Sequence, residues 1–206
     1  YKGWVHFPWE EEPDQDIASS VTRMLEYIGE DPKREGLIET PRRVVESWKT
    51  LYAGYGKGKV EMRWFVDDTD EMIVEKGISF YSMCEHHMLP FFGTVAIGYI
   101  PNGQVVGISK LSRLVGRLSR KLQIQERLTR QVGEVLEASS GFVLQDGTQQ
   151  PKTVKGVAVH VEAQHLCMMM RGVSQHGTTL VTNYLTGAFR DKPEARAEFL
   201  AAVNGG

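Results

Sequence analysis

The feature that most restricts the fold of this 206-residue chain is a change in the period of its apolar residues at Met72. Before this point apolar residues recur at helical spacing, and after it come the short β-rich segments MIVEKGISFYS, GTVAIGYI and QVVGI. Helical spacing returns over residues 108–122 and 125–137, and strand candidates follow at 156–170 and 178–189. This order predicts an α+β fold with a mostly antiparallel sheet.

Several element boundaries can be predicted from local signals. The apolar stripe over residues 16–30 predicts a first helix, and a second helix is expected to have Thr40 as N-cap, Pro41 at its first position and a stop near Gly54. The Asn-Gly pair at 102–103 predicts a hairpin between GTVAIGYI and QVVGI. A loop is expected near residues 140–155, and a short helix in the tail from Asp191.

The bulk composition excludes several classes of protein. A formal net charge of -2, a pI near 6.3 and 41% hydrophobic residues are ordinary for a soluble globular protein, so bulk nucleic-acid binding is not indicated. No apolar run long enough to span a bilayer is present, and the N-terminal segment does not resemble a signal peptide, so we expect a cytoplasmic protein. The two cysteines are then more typical of a metal site, a catalytic site or burial than of a disulfide, which stays a minor alternative.

One short segment, SMCEHHMLPF, combines a thiol, a carboxylate and two imidazoles at Cys84, Glu85, His86 and His87. Cys84 and His87 are three residues apart, a spacing at which one tight turn directs both side chains to a single ion. On its own such a pair is more often accidental than functional. For Glu85 we favour a carboxylate that orients a ligand over direct catalysis.

The segment VAVHVEAQHLCMMM supplies a second group of candidate ligands. A regular strand places His165 and Cys167 on the same face as the preceding valines, because side chains alternate. A core histidine beside a buried cysteine would explain this segment alone, but together with CEHH it favours a metal site. A zinc site could be catalytic, with Cys84, His87, Cys167 and a water, or structural, with His86 or His165 as fourth ligand. In the catalytic case both remaining histidines could carry protons, as in a hydrolytic site.

Basic residues follow one helical face in the segment GISKLSRLVGRLSRK. Lys110, Arg113 and Arg117 lie on this face, and Ser109 lies at the predicted helix N-terminus, where free N–H groups attract anions. Such a pattern is more often explained by a helix face exposed to solvent. The functional explanation is that these residues bind the phosphate groups of a substrate. Arg171 is another candidate for anion binding, with a surface salt bridge as its alternative.

Gln125 and Glu126 lie side by side in the segment LQIQERLT. An amide next to a carboxylate could bind the carbonyl and the N–H edge of a guanine. The alternative for Glu126 is an ordinary surface residue on the first turn of a helix.

Six segments, in their order and spacing, resemble the GTP cyclohydrolase I family over nearly the full length of the chain. They are DPKREGLIETPRRV, SMCEHHMLPFFG, YIPNGQVVGISKLSRLV, LQIQERLTRQ, GVAVHVEAQHLCMMMRGV and LTGAFRDKPEARAEFL. The resemblance implies the tunnelling fold (T-fold), in which antiparallel sheets of several subunits close into a barrel, usually in a toroidal decamer with active sites between subunits. It divides the chain into an N-terminal arm (1–15), a helical part (16–70) and a catalytic part (71–206).

The resemblance also implies a reaction and a role for each candidate residue. GTP and water would give formate and 7,8-dihydroneopterin triphosphate, the first step of a pterin or folate-type pathway. The family's zinc ligands correspond to Cys84, His87 and Cys167, and its acid/base histidines to His86 and His165. The family residues that contact the triphosphate and ribose correspond to Ser109, Lys110, Arg113 and Arg171. Ser109 also corresponds to a residue that moves protons. The residues that contact guanine correspond to Gln125 and Glu126.

Three other functions compete with this one. A nitrile reductase of the same fold uses a cysteine nucleophile and nicotinamide, but CEHH with a distant HxC favours a metal, and no nicotinamide-binding glycine motif appears in the sequence. A zinc-stabilised inactive homologue would be an interaction protein, and would be expected to have lost His86 or His165. An enzyme that stops after ring opening is distinguished only by its product.

Overall fold

The computed structural model describes residues 15–56, 58, 60–140 and 153–205. These residues form two compact units, one ending at Ala53 and the other beginning at Gly54. The division of the chain at 70/71 stays a prediction. Apart from Gln15, the predicted arm lies outside the described residues, as does most of the loop predicted at 140–155.

The first unit contains the two predicted helices, α1 (Gln15–Tyr27) and α2 (Thr40–Leu51). Val21 and Val45 are their buried residues, which is consistent with one apolar face on each helix. The predicted N-cap of α2 is wrong by one position: Glu39 is the N-cap, and no side chain caps the helix. Pro41 still lies in the first turn, where its missing N–H has no helical partner to lose. The helix ends at Leu51, before Gly54.

The second unit is built on a five-stranded sheet in the order β5-β2-β3-β6-β7. All neighbouring strands are antiparallel except β2 and β5, which are parallel. The strands are β2 (Ile73–Cys84), β3 (Pro90–Pro101), β5 (Leu122–Gln123), β6 (Val154–His165) and β7 (Leu180–Leu185). The predicted α+β class with a mostly antiparallel sheet is therefore confirmed.

The hairpin predicted around Asn102 and Gly103 is wrong. The chain does turn there, with Gly103 at φ 85, but β4 (Gln104–Val106) pairs with β1 (Trp64–Val66) in a separate two-stranded sheet. Both edges of β3 are already occupied by the twelve-residue strands β2 and β6. A local turn signal does not reveal such competition for an edge.

Helices cover both faces of the larger sheet, and the alternation along β6 separates two apolar clusters. Val157, Val159 and Val161 belong to the larger cluster with buried leucines of α3 (Ile108–Ser119) and α4 (Gln125–Ser139). Ala158 belongs to a smaller cluster with two phenylalanines, contributed by α6 (Ala188–Asp191) and α7 (Pro193–Asn204). Each fully buried valine or leucine contributes about 1.5–3 kcal/mol. No helix in the described part of the chain has the length and apolar character needed to cross a membrane.

The strand predicted over residues 156–170 is too long. β6 ends at His165, and a four-residue helix, α5 (Leu166–Met169), follows it directly. Cys167 therefore lies on a helical turn, and the strand alternation used to predict its direction does not apply there. The two candidate ligand segments nevertheless meet, because β3 connects them: it follows the CEHH turn and pairs with β6 as far as His165.

Candidate metal centre

The CEHH cluster forms the tight turn between β2 and β3. Cys84, the last residue of β2, accepts a hydrogen bond at its carbonyl from the Met88 N–H (2.8 Å), and its own N–H donates to the Leu89 carbonyl (2.8 Å). Met88 has the left-handed φ of 53 that closes this turn. As a result Cys84 Sγ lies 3.8 Å from His87 Nδ1.

Cys167 completes a three-residue group with this turn. One potential ligand atom each from Cys84, His87 and Cys167 lie within 4.8 Å of one another, and both cysteines are free thiols. Burial, reinforced by the nearby Cys84, raises the pKa of the Cys167 thiol. A buried sulfur (Cys84) and a half-buried one (Cys167) this close disfavour a second negative charge, and a bound cation would reverse that preference.

The donor set fits a zinc ion. Two thiolates and one imidazole are ligands that zinc binds, and three protein ligands with an open fourth position are typical of catalytic sites. Among the described residues, this group of potential ligands consists of Cys84, His87 and Cys167. His86 Nδ1 lies 3.9 Å from Cys84 Sγ but is not part of the group. The arrangement therefore favours the three-ligand interpretation over a closed structural site.

The two candidate proton-carrying histidines have different surroundings. The His86 side chain is 65% exposed. His165 is half-buried and stacks on Phe91, with ring centroids 4.6 Å apart and planes 3° from parallel. Burial lowers the pKa of His165, and the carboxylate of Glu126 opposes this effect. The orientation of the His165 ring is therefore restricted by its neighbours, whereas the His86 ring is mostly exposed to solvent.

Gln125, the first residue of α4, is fully buried and bonds to His165. Its Oε1 lies 2.9 Å from His165 Nε2. Its Nε2, which carries two hydrogens, has three oxygens within hydrogen-bond distance on β6 and β7, the carbonyls of Val161 and Leu180 and the hydroxyl of Thr182. Of the pair predicted to contact guanine, Glu126 is exposed, whereas the amide of Gln125 is engaged inside the chain.

A bidentate ion pair, which sequence reasoning missed, joins the CEHH turn to α4. Both carboxylate oxygens of Glu85 accept hydrogen bonds from the Arg127 guanidinium. This pairing lowers the pKa of Glu85 and raises that of Arg127. Glu85 therefore holds the turn in place, as expected for a carboxylate that supports a ligand rather than reacting.

Arg171 lies beside the three-residue group, because it follows α5, the short helix that contains Cys167. Its Nη1 is 2.8 Å from His87 Nε2, and its side chain is exposed. A guanidinium so close to the metal group could bind an anion that enters the site.

The predicted phosphate-binding residues of α3 lie elsewhere in this chain. Ser109, Lys110 and Arg113 belong to the first turns of α3, where Ser112 donates to Glu75 (2.7 Å). Glu75 precedes Cys84 on β2 by nine residues, which corresponds to about 30 Å along a regular strand. The N-terminal part of α3 thus contacts the start of β2, and the CEHH turn lies at the other end of that strand.

Phe91 and Thr182 are further site residues that local sequence patterns did not reveal. Phe91 stacks on His165 because the two residues are directly paired between β3 and β6. Thr182 reaches Gln125 because β7 pairs with β6 along the same stretch. Both contacts depend on strand register, for which the sequence carries no local signal.

Comparison with known proteins agrees with the geometry. The profile of the GTP cyclohydrolase I family matches residues 17–204. A protein of Wolinella succinogenes named GTP cyclohydrolase 1 is 46% identical over 195 residues, covering 92% of this chain and 98% of the relative. One of the same name from Chlorobium chlorochromatii is 44% identical over 191 residues, covering 91% and 80%. Through this nearly full-length similarity, the chain belongs to the GTP cyclohydrolase I family of hydrolases.

Proposed function

We propose that this protein is a zinc-dependent hydrolase that converts GTP and water into formate and 7,8-dihydroneopterin triphosphate. The observation that carries the proposal is the group of Cys84, His87 and Cys167 with two further histidines beside it, in a chain of this family. The product would enter a pterin or folate-type pathway.

The metal would be held by the two thiolates and the His87 imidazole. Bound Zn²⁺ would supply a Lewis acid that makes water nucleophilic near neutral pH. The chain's own residues would do the rest: they would bind the nucleotide, orient its purine and move protons.

Proton transfer would be divided between the two histidines according to their exposure. His165 is fixed by Phe91 and Gln125, so its ring has a defined direction, as a donor of a proton to N7 of the purine requires. His86 is mostly exposed and could exchange protons with solvent. Ser109 would take part in the proton transfers of the later ribose rearrangement.

Recognition of the nucleotide would use charge at both of its ends. Arg171 beside the metal group, together with Lys110 and Arg113, would bind the triphosphate, because clustered cations pair strongly with phosphate oxygens. The exposed carboxylate of Glu126 would accept hydrogen bonds from N1–H and the 2-amino group of guanine. The predicted contact of Gln125 to guanine would require its amide to leave its present partners.

The atoms balance with a net consumption of one water. A first water opens the imidazole ring at C8, and a second hydrolyses the resulting formamide and releases formate. The ribose then opens and rearranges to a ketone, and the free amine closes on this carbonyl with loss of one water.

A complete site would need more than one copy of the chain. The start of α3 contacts Glu75 near the beginning of β2, whereas Cys84 is the last residue of that strand, and we infer that the α3 residues serve the metal group of another copy. The sheet also has two edge strands, β5 and β7, and Leu180 and Val181 on β7 are 39% and 47% exposed. Pairing of such edges between subunits would build the barrel of a toroidal decamer with sites between subunits.

The proposal is tested by incubating GTP with protein whose metal content has been measured. We expect one zinc per chain, formate release and the fluorescence of the oxidised pterin in equal amounts. ATP is the matched control, because it lacks the N1–H and the 2-amino group. Accumulation of the ring-opened formamide without formate, or turnover in protein free of metal, would contradict it.

A cytoplasmic location also remains our prediction, supported by the free thiols that a reducing compartment preserves.

A further inference from the structure

A buried glutamine beside the metal centre has hydrogen bonds that determine which atom of its amide faces His165. Gln125 has no exposed surface, so each polar atom of its side chain needs a partner within the protein. Its Nε2 lies 3.1 Å from the Val161 carbonyl and 2.9 Å from the Leu180 carbonyl. Carbonyl oxygens only accept hydrogen bonds, so the atom between them must be the NH₂ group.

The same argument extends to the imidazole. With the NH₂ group of Gln125 directed at two carbonyls, its Oε1 is the atom 2.9 Å from His165 Nε2. An amide oxygen is only an acceptor, so the Nε2 of His165 must carry a hydrogen. Thr182 is consistent with this orientation. Thr129 donates its hydroxyl hydrogen to the Gln125 backbone carbonyl (2.8 Å), so Thr182 donates to Thr129 (2.6 Å) and presents only its oxygen to Gln125 Nε2 (3.1 Å).

We propose that Gln125 is a positioning residue that holds the His165 ring in one orientation, with Nε2–H directed at the amide oxygen and Nδ1 as the ring atom that makes no bond to Gln125. Stacking on Phe91 fixes the plane of the ring, and the bond to Gln125 fixes its rotation within that plane. Both contacts come from core strands or a buried helix start, so the geometry does not depend on a mobile surface loop.

The catalytic consequence rests on the proposed function, whereas the tautomer does not. In the proposed reaction, doubly protonated His165 would give its Nδ1 proton to N7 of the purine as the C8–N bond breaks. The ring that remains is the neutral Nε2–H tautomer, which is the one that Gln125 stabilises. The bond to Gln125 is the same before and after this transfer, so the glutamine would act by keeping Nδ1 directed at the purine throughout.

Nitrogen NMR of protein labelled with ¹⁵N-histidine tests the tautomer without any substrate. The chain has six histidines, and loss of signals in His165→Ala identifies those of His165. At a pH of about 8.5, where the ring is neutral, we expect a protonated Nε2 and an unprotonated Nδ1. A spectrum with the proton on Nδ1 would overturn the proposal, and this measurement on the wild type is decisive even if no variant folds.

Gln125→Met removes the acceptor while keeping the length of the side chain. We expect the His165 signals of this variant to become those of a mixture of tautomers. Gln123→Met is the matched control, because Gln123 is equally buried and its amide donates to Leu118 and Gln131, whereas among the described residues it makes no hydrogen bond to a histidine. Unchanged His165 signals in Gln125→Met, or the same change in Gln123→Met, would count against the proposal.

Kinetics separate positioning from guanine binding. We expect Gln125→Met to lower kcat by about tenfold, the equivalent of one hydrogen bond, and to add no further loss in a His165→Ala background. In that background the dissociation constant for GTP should change less than about twofold. A tenfold weakening of GTP binding would instead make Gln125 a guanine contact. Wild-type protein that releases no formate from GTP would refute the proposed function and leave the NMR result untouched.

Discussion

The side chains of the candidate centre differ in how firmly the protein holds them. Cys84 is buried at the end of a twelve-residue strand, and His165 is stacked on Phe91 and bonded to Gln125. His86 is mostly exposed, and Arg171 lies on an exposed segment. Groups that need an exact direction are therefore held by the core, and groups that meet solvent or a charged ligand lie at the rim.

Replacing single residues should separate metal binding from turnover. Cys167→Ala removes one of three ligands, so we expect the variant to lose zinc and with it formate release. His165→Ala leaves all three ligands in place, and we expect it to keep one zinc per chain while kcat falls about 10²–10⁴-fold. Metal analysis of dialysed protein, combined with a formate assay, checks both. An active zinc-free Cys167→Ala protein would contradict the ligand assignment.

Tyr99 should make stability fall at alkaline pH. Burial raises the pKa of this tyrosine, whose hydroxyl oxygen accepts a hydrogen bond from the Val106 N–H (3.1 Å). Above a pH of about 10 the unfolded chain loses the Tyr99 proton while the folded chain keeps it, so the free energy of unfolding falls by up to about 1.4 kcal/mol per pH unit.

Denaturant titrations between pH 9 and 11, compared with Tyr99→Phe, measure this contribution. The variant should be less stable near neutrality, since it loses a hydrogen bond, but its stability should decline less steeply above a pH of about 10. Tyr81→Phe is the control, because Tyr81 is 69% exposed and solvated in both states. Equal slopes for wild type and Tyr99→Phe would refute the expectation.

At the scale of elements, the sequence predicted periodic segments well and pairing poorly. Helices α1 to α4 lie where apolar stripes predicted them, since helical periodicity is a local property. The hairpin at Asn102 and Gly103 was wrong, and β1 was not predicted, because both depend on which distant strand takes a free edge. The three candidate metal ligands could be proposed from their residue types, and the structure brings them together. Phe91 and Arg127 could not be proposed, because ordinary residues gain their contacts through register and packing alone.

Two helical glycines should respond in opposite directions to alanine. A Cβ on Gly133 of α4 would overlap the ring of Tyr184 on β7, so we expect Gly133→Ala to cost about 1–3 kcal/mol. A Cβ on Gly116 of α3 meets no heavy atom within 4 Å, and Gly116→Ala should add about 0.5–1 kcal/mol through helix propensity. Denaturant midpoints at one fixed protein concentration test the pair, and a stabilised Gly133→Ala would show that α4 and β7 do not pack this closely.

At the scale of the whole molecule, one chain carries two separate sets of candidate site residues. The metal group lies where β2 ends, and Ser82 of that strand donates to the carbonyl of Ser119 at the far end of α3 (2.7 Å). Ser109 is ten residues back along this helix, about 15 Å away. Under the proposed function, we expect one nucleotide to contact the metal set of one copy and the α3 set of another.

Mixing two inactive variants tests this division directly. Lys110→Ala damages the α3 set and His165→Ala the metal set, so each protein alone should lose most of its turnover. In randomly mixed oligomers, about a quarter of the sites would combine an intact metal set from one copy with an intact α3 set from another, and a corresponding share of activity should return. A mixture of His165→Ala with Cys167→Ala is the control, because both changes lie in the same set and no intact site can form. We expect activity in the first mixture but not in the second. Absence of activity in both mixtures would mean that a single chain, after rearrangement, supplies the whole site.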